Sequence, residues 1–395
     1  MRQFFKKNLQ LIAVSTGHFT NDVYIALIPP VLFVFSGSLG LTLAQQSTIA
    51  FVIITGGSLL QPVLGYFLDK IGKSSYLIIC IVWISFMMCI TGLITNYFLL
   101  LIIAGLASVA SSIYHPLGSS IVVNLSRGSR GKSLSIFLTI GGFAYTLAPM
   151  ISIPIASTFG LRYLVFLMIP GFIVAYFLKF AGIDKIKCRV ASDKEKAKKR
   201  ISKNKAKWLS LLVFMSAITV VFEKIMVVFG VQIMIMKGIA IIPAGIILSI
   251  HLFLRSLGTL SGGYLLDKFG ERRIMIIFSI LAFGFYAIAI FSQGLLVFIG
   301  ILFFGYMQNG TATANVTITH HILPDYINLG TGAIIGLSQT IAGILILVFG
   351  KFSDIYGLME VAQATAILFI IPVLISLGVS KKYQHLELKP EPIKS

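Results

Sequence analysis

Long runs of apolar residues follow one another along almost the whole of this chain. About 18 consecutive apolar residues are enough for a helix to cross the ~30 Å hydrocarbon core of a bilayer. Of the 395 residues, 57% are hydrophobic and 11% are charged, whereas a soluble domain carries about 25% charged residues. A water-soluble fold of this length could not cover its surface with so few charges. The sequence therefore predicts an all-α membrane protein.

Twelve apolar runs are bounded by charges or turn residues, and each is predicted to be a transmembrane helix. The first run is too long for a signal-peptide core and is predicted to be retained. We number these runs as spans 1 to 12, and they are predicted over residues 9–35, 45–67, 76–95, 97–125, 133–156, 161–181, 208–235, 241–266, 274–292, 295–321, 332–352 and 359–379.

Most basic residues lie at the N-terminus, in alternate loops and in the C-terminal tail. The opposite side has only Arg162, Lys237 and Lys351 at loops or helix ends. Because an excess of Lys and Arg marks the cytoplasmic side, both termini are predicted to be cytoplasmic, in a multi-pass protein of a prokaryotic cell membrane. The net charge of +19 is then explained by topology and by attraction to anionic lipid, and no nucleic-acid partner is predicted.

The two halves of the chain repeat one segment. Residues 65–73 read GYFLDKIGK and residues 263–271 read GYLLDKFGE, each after the second span of its half. Parallel repeats of six helices are a known plan of transporters. The predicted domains are an N-terminal six-helix bundle at 1–181, a cytoplasmic basic linker at 182–207, a C-terminal six-helix bundle at 208–380 and a cytoplasmic tail at 381–395.

Both segments resemble the loop motif G-x-x-x-D-[RK]-x-G-[RK]-[RK] of the major facilitator superfamily. The resemblance implies a fold of two pseudo-symmetric six-helix bundles. It also implies a cytoplasmic gate, in which the aspartate caps a facing helix or pairs with a loop arginine. The alternative is a charged turn that only sets topology. The predicted gating residues are Gly65, Asp69, Lys70, Arg127, Arg130, Gly263, Asp267 and Lys268.

Three segments of the N-terminal half resemble the fosmidomycin-resistance branch of this superfamily: GHFTND at 17–22, LLQPVLGYFLDK at 59–70 and SSIYHP at 111–116. That resemblance implies export of antibiotics or other small molecules against protons. Span 5, with Gly141, Gly142 and Pro149, loosely resembles the antiporter motif G-x-x-x-G-P-x-x-G. It departs from that motif at Ala148 and lacks the trailing glycines.

Polar residues inside spans 1 and 4 point to a coupling site. An ionisable group at mid-bilayer costs about 2.5–3.5 kcal/mol on insertion scales. His18, Asn21 and Asp22 share one helical face, and His18 and His115 both lie ~15 Å from the inner ends of their helices. Asp22 is predicted to bind and release a proton, with His18 and His115 tuning it or holding an anionic substrate. The alternative is a structural hydrogen-bond cluster.

The C-terminal half offers a looser set of polar residues. Glu223 lies near the repeat-related position of Asp22 and is predicted to take part in proton coupling. Arg255 would bind an anionic group or pair with Glu223. The predicted substrate-binding residues are Asn21, Gln61, Tyr145, Arg255, Gln308 and Asn309; the alternatives are interhelical hydrogen bonds in span 10 and a simple kink at Gln61–Pro62.

Motifs for nucleotide chemistry are missing. Two Gly-Lys-Ser triplets lack the glycine that a phosphate-binding loop needs five residues earlier, where Phe67 and Ser126 stand. No cofactor or metal site is predicted. The sequence predicts a monomeric secondary transporter, not an enzyme, that exports a small drug-like or anionic molecule with the proton as coupling ion. The alternatives are an importer or facilitator of an organic anion and, in another class, an intramembrane enzyme or a non-transporting scaffold.

Overall fold

The computed structural model describes residues 2–71, 73–126, 130–186, 202–323, 330, 331 and 333–383. Within these residues the chain is helical and forms no β-strand. In this described part of the chain, twelve helical segments are long and apolar enough to cross a membrane. The predicted all-α architecture with twelve spans is confirmed.

Spans 1 to 6 extend over Lys7–Leu39, Leu43–Gln61, Tyr76–Leu93, Tyr97–Leu125, Ile136–Phe159 and Leu161–Phe180. The α-helices that build them are Arg2–Leu27, Leu32–Leu39, Leu43–Ile71, Tyr76–Ile90, Tyr97–Leu125, Arg130–Pro154 and Met168–Phe180. Short 3-10 turns occur at Pro29–Val31, Thr91–Leu93, Leu161–Leu167 and Ile183–Lys185, and a π-turn at Ile155–Phe159.

Spans 7 to 12 extend over Lys203–Met236, Ile241–Phe269, Glu271–Phe291, Leu295–Ile322, Ala333–Tyr356 and Leu358–Gly378. Their α-helices are Lys203–Met236, Ile241–Phe269, Glu271–Phe291, Leu295–Gln308, Ala312–Ile322, Ser338–Tyr356, Leu358–Thr365 and Ile370–Tyr383. A π-turn occurs at Ala333–Leu337 and a 3-10 turn at Ala366–Phe369.

Among the spans that are predicted to be continuous, spans 1 and 10 are interrupted. Span 1 passes through a 3-10 turn at Pro29–Val31, because proline lacks the backbone N–H and clashes with the preceding turn. Span 10 breaks between Gln308 and Ala312. By contrast, Pro116 lies inside the continuous helix of span 4.

The chain divides into two compact units. The first unit consists of Met1–Lys199, Lys224–Leu252 and Gly343–Leu358, and the second of Arg200–Glu223, Phe253–Ala342 and Met359–Ser395. Three of the boundaries between these units fall inside spans 7, 8 and 11, and another falls at the start of span 12. The predicted bundle, linker and tail boundaries stay a prediction, and residues 187–201 of the linker lie outside the described part of the chain.

Span 1 is central to the first unit. Its helix packs against the helices of spans 3, 4, 5 and 6, and Ala13 and Val14 have no exposed surface. A helix covered on this many sides buries whatever polar residues it carries. His18 and Asp22 are therefore presented to the neighbouring helices of spans 4 and 5.

The second unit contains an aromatic core and a close helix–helix contact. The rings of four aromatic residues make T-shaped or tilted contacts, with centroids 4.1 to 5.8 Å apart: Phe222, Tyr286, Phe304 and Phe369. Span 8 approaches span 10 so closely that a Cβ atom at Gly258 would collide with the carbonyl oxygen of Tyr306. This contact fixes span 8 beside the polar stretch of span 10.

Candidate functional site

A buried polar cluster joins spans 1, 4 and 5 in the first unit. His18 Nε2 lies 3.0 Å from His115 Nδ1 and 3.4 Å from Asp22 Oδ2. His115 Nε2 lies 3.3 Å from Asp22 Oδ1. The structure thus brings together the two histidines and the carboxylate that the sequence singled out, and we call them the His-Asp-His cluster.

Asn21 extends this cluster. Its Nδ2 donates hydrogen bonds to Asp22 Oδ1 at 2.9 Å and to Ser111 Oγ at 3.1 Å. His18, Asn21 and Asp22 are buried, with 2%, 0% and 4% of their surfaces exposed, whereas 29% of the His115 side chain is exposed. His115 is therefore the one member of the His-Asp-His cluster with substantial access from outside.

The packing around His18 depends on residues that were not predicted as part of the site. The Phe137 ring stacks on the His18 ring at a centroid distance of 4.0 Å. A Cβ atom at Gly141 would collide with the His18 ring and stand 2.7 Å from Asp22 Oδ2. Glycine is required at position 141 for span 5 to approach the cluster. In the sequence, Gly141 belongs only to a segment that loosely resembles the antiporter motif. That motif does not predict a contact of Gly141 with His18 or Asp22.

Two neutral imidazoles and a carboxylate have one hydrogen too few to fill both the His18–His115 contact and the His115–Asp22 contact. The Phe137 carbonyl oxygen, 2.8 Å from His18 Nδ1, can only accept, so His18 Nδ1 carries a hydrogen. Neutral His115 has a single N–H, which can serve either His18 or Asp22. One added proton, on a ring or on the carboxyl, supplies a hydrogen to both contacts. The arrangement can therefore hold and exchange a proton.

The same three side chains are also spaced for a cation. One ligand atom from each of His18, Asp22 and His115 lies within 4.8 Å of the others. Imidazole and carboxylate are ligands that divalent transition metals accept. A test of proton chemistry at this cluster therefore needs a chelator control.

A second polar cluster lies in the second unit. Arg255 Nη2 lies 2.7 Å from Glu223 Oε2, with 19% and 13% of these side chains exposed. This is the ion pair between spans 7 and 8 that the sequence left as one of two alternatives. Because both groups are charged and largely buried, each stabilises the other in a poorly solvated place.

Gln308 and Asn309 bond span 10 to spans 7 and 8 near this ion pair. Gln308 Nε2 donates to the Thr219 carbonyl oxygen at 2.7 Å, and Thr219 lies one turn before Glu223 on span 7. Asn309 Nδ2 donates to Thr259 Oγ1 at 2.8 Å, one turn after Arg255 on span 8. The four predicted residues of this half therefore make contacts within one turn of each other on spans 7 and 8, and we call Glu223, Arg255, Gln308 and Asn309 the Glu-Arg-Gln cluster.

The remaining predicted substrate residues have less defined surroundings. Gln61 in span 2 and Tyr145 in span 5 are each partly buried. Tyr145 follows Gly141 by four residues and so shares its helix face. Their assignment to the substrate stays a prediction.

The predicted gating residues are only partly described. Asp267 and Lys268 are exposed at the end of the Ile241–Phe269 helix, and Lys268 Nζ lies 5.4 Å from the Phe269 ring centroid. Gly263 lies in the same helix, in ordinary contact with Thr313. Arg127 lies outside the described residues, and so do the surroundings of Gly65 and the side chains of Asp69, Lys70 and Arg130.

A polar contact that the sequence did not reveal joins the ends of spans 2, 7 and 11 within the first unit. Asp354 accepts hydrogen bonds from the backbone N–H groups of Leu43 at 2.7 Å and Ala44 at 3.0 Å. Gln232 donates to Gln46 at 2.8 Å. A carboxylate at a helix N-terminus is stabilised by the free N–H groups and the helix dipole. Asp354 therefore acts as a cap for span 2, supplied from a distant part of the chain.

Known proteins resemble this chain over nearly its whole length. The Fosmidomycin resistance protein of Escherichia coli (strain K12) is 25% identical over 354 residues, which cover 87% of this chain and 86% of that protein. An uncharacterized MFS-type transporter, YfnC of Bacillus subtilis (strain 168), is 25% identical over 375 residues, covering 92% and 91%.

The fold is shared with solved transporters. A bacterial homolog to the human lysosomal transporter Spinster superposes with a TM-score of 0.80 at 15% identity, covering 98% of this chain and 99% of that one. The sequence profile of the Major Facilitator Superfamily matches residues 14–345. The chain therefore belongs to the major facilitator superfamily and is a membrane transporter rather than an enzyme.

Proposed function

We propose that this transporter exports a small drug-like or anionic molecule and couples that export to the entry of protons. The observation that carries the proposal is the buried His-Asp-His cluster of His18, Asp22 and His115. A secondary transporter needs a titratable group that both sides of the membrane can reach in turn. This cluster offers one.

The energetic cost of the cluster supports a functional role. A charged side chain at the bilayer centre costs about 2.5–3.5 kcal/mol on insertion scales. Asp22 has 6% of its side chain exposed and lies within a span of mean hydropathy 1.7. A packing role alone could be filled by apolar residues at no such cost.

Access to the cluster supports proton exchange through His115. Its side chain is 29% exposed, against 2% for His18 and 6% for Asp22. A proton that arrives at His115 can reach Asp22 across a contact of 3.3 Å. His115 is the proposed entry point and Asp22 the proposed store, and His18 orients both rings through its bond to Phe137.

The Glu-Arg-Gln cluster is proposed to bind the substrate. Arg255 offers a positive charge, Gln308 and Asn309 offer amide groups, and Glu223 supplies a second titratable group. The other proposed contacts, Asn21, Gln61 and Tyr145, belong to the first unit. Arg127, Arg130 and the two glycine–aspartate motifs are proposed to gate the cytoplasmic side.

Direction and drug-like substrates are proposed from the named relative. A protein that confers resistance to fosmidomycin lowers the exposure of its host to that drug, and export is the direct way for a transporter to do so. Alternating access by the two repeats would then break and remake contacts such as those of Asp354 with Leu43 and Ala44.

The cellular setting follows from the charge pattern. The basic loops and tail favour a cytoplasmic location for both termini, in the cytoplasmic membrane. We propose a monomer, since each chain supplies both clusters.

Resistance in a drug-sensitive bacterial host tests this function. Wild-type protein should protect against at least one compound of a panel that includes fosmidomycin, and Asp22→Asn should reduce protection to the level of the empty vector. The matched control is Asp184→Asn, because Asp184 is an exposed aspartate at the end of span 6 and should protect like wild type.

Three outcomes decide the matter. Equal protection by wild type and Asp22→Asn would remove Asp22 from coupling. If protection disappears when a chelator is added, the His-Asp-His cluster acts by binding a metal ion and not by binding a proton. Accumulation of a labelled compound inside the cells would favour the second candidate, an importer or facilitator of an organic anion, for which the guanidinium of Arg255 is the favouring observation.

A further inference from the structure

Two buried polar atoms of the Glu-Arg-Gln cluster have no hydrogen-bond partner. They are Arg255 Nε, which is a donor, and Gln308 Oε1, which is an acceptor. The other ends of both side chains are engaged, Arg255 Nη2 with Glu223 and Gln308 Nε2 with the Thr219 carbonyl. Buried polar groups are satisfied in most native structures, so an orphaned pair calls for an explanation such as a ligand.

The side chains that carry these two atoms contact the same face of span 7. Thr219 and Glu223 are four residues apart on span 7 and therefore lie one above the other on one face. Gln308 is bonded at the level of Thr219, and Arg255 at the level of Glu223.

The chemistry of each atom defines what it would bind. The Nε edge of a guanidinium suits an oxygen of a carboxylate or another oxyanion, because its N–H groups diverge in a plane that matches such a group. An amide oxygen accepts from a hydroxyl or an N–H. Asn309 and Thr259 hold each other at 2.8 Å and keep span 10 close to span 8.

We propose that the substrate is a compact organic acid that also carries a hydrogen-bond donor. The acidic group binds Arg255 Nε and the donor binds Gln308 Oε1. This inference rests on the proposed function in taking the Glu-Arg-Gln cluster as the substrate site. Glu223 keeps its contact with Arg255 Nη2.

Three small probes separate the parts of this proposal. Succinamate carries a carboxylate and an amide donor, butanoate carries only the carboxylate, and succinamide carries only donors without charge. The thermal unfolding midpoint of the purified full-length protein is measured over a concentration series of each probe. Succinamate should raise the midpoint by about 2 °C or more at saturation, butanoate by less, and succinamide should leave it unchanged.

Arg255→Lys is the most informative variant. Lysine keeps the positive charge that pairs with Glu223 but has no Nε–H in that position, so the succinamate shift should disappear while the ligand-free midpoint stays close to wild type. Arg273→Lys, at an exposed arginine, should keep the full shift. If Arg255→Lys does not fold, Gln308→Met replaces it, and its succinamate shift should fall to the butanoate level.

Several results would overturn the inference. These are no shift of wild type with succinamate, an equal shift with uncharged succinamide, or a full succinamate shift in Arg255→Lys. Because the midpoint reports binding without transport, such a result leaves proton coupling at Asp22 untouched. Conversely, Asp22→Asn should bind succinamate like wild type even if it fails to protect cells.

Discussion

At the scale of single residues, the His-Asp-His cluster is made possible by one glycine. Gly141 of span 5 faces the His18 ring and Asp22 Oδ2 so closely that no side chain fits between them. Its neighbour Gly142 has nothing within 4 Å of an added Cβ atom. Alanine normally stabilises a helix relative to glycine by about 0.5–1 kcal/mol. Opposite effects of alanine at these two positions would therefore isolate the contact with the cluster.

Gly141→Ala should lower the thermal unfolding midpoint and abolish drug protection, because overpacking a tight site costs about 1–3 kcal/mol and displaces the His18 ring. Gly142→Ala should leave both unchanged or raise the midpoint slightly. The measurements are thermal unfolding of the purified variants and protection of the sensitive host. Normal protection by Gly141→Ala would mean that the position of His18 beside Asp22 is unimportant.

Part of the cluster is predictable from local rules. The spacing of His18, Asn21 and Asp22 puts them on one helix face, and counting residues from the helix ends puts His115 at the same depth. Phe137, Gly141 and Ser111 could not be predicted as their partners. Their contacts depend on how spans 4 and 5 rotate against span 1, which is set by the packing of the whole unit.

At the scale of helices, close packing of span 8 on span 10 positions the Glu-Arg-Gln cluster. Gly258 and Gly262 are four residues apart on span 8, and a Cβ atom on either would collide with a backbone carbonyl of span 10, that of Tyr306 or Gly310. Small residues at this spacing allow membrane helices to approach closely. Backbone atoms cannot move aside as a flexible side chain can.

Gly258→Ala should therefore separate spans 8 and 10, break the Asn309–Thr259 hydrogen bond and lower the unfolding midpoint. The matched control is Gly284→Ala in span 9, where nothing lies within 4 Å of the added carbon. The difference between the two midpoints in one detergent is the measurement. If both variants unfold at the same temperature, the close contact does not hold the helices together.

Helix existence was easier to predict than helix interruption. Span 4 was predicted at 97–125 and is observed at Tyr97–Leu125, since its flanks change sharply from apolar to polar. The break of span 10 after Gln308 was not predicted, because hydropathy averages over a short polar stretch. The Asp354 cap on span 2 joins residues more than 300 positions apart, and no local pattern indicates such a pair.

At the scale of the whole molecule, the two halves of the chain share a sequence motif but differ in their buried titratable groups. The glycine–aspartate motif occurs in both halves, as expected of a duplicated transporter fold. The buried titratable groups do not repeat: spans 1 and 4 carry two histidines and an aspartate, whereas spans 7 and 8 carry the Glu223–Arg255 pair together with Lys224 and His251. We interpret this asymmetry as a difference in function: we propose that the His-Asp-His cluster mainly binds protons and that the Glu-Arg-Gln cluster binds an acidic substrate.

The uptake of protons by the purified protein tests this account most directly and needs no known substrate. Wild type and Asp22→Asn are acidified from mildly alkaline to mildly acidic pH in weakly buffered detergent solution with chelator, and bound protons are counted with an indicator dye. Wild type should take up about one proton more per molecule than Asp22→Asn. The reason is that a positive charge on the buried histidines is stabilised only when the carboxylate of Asp22 lies beside them. Equal uptake by the two proteins would contradict the assignment of the His-Asp-His cluster as the coupling site.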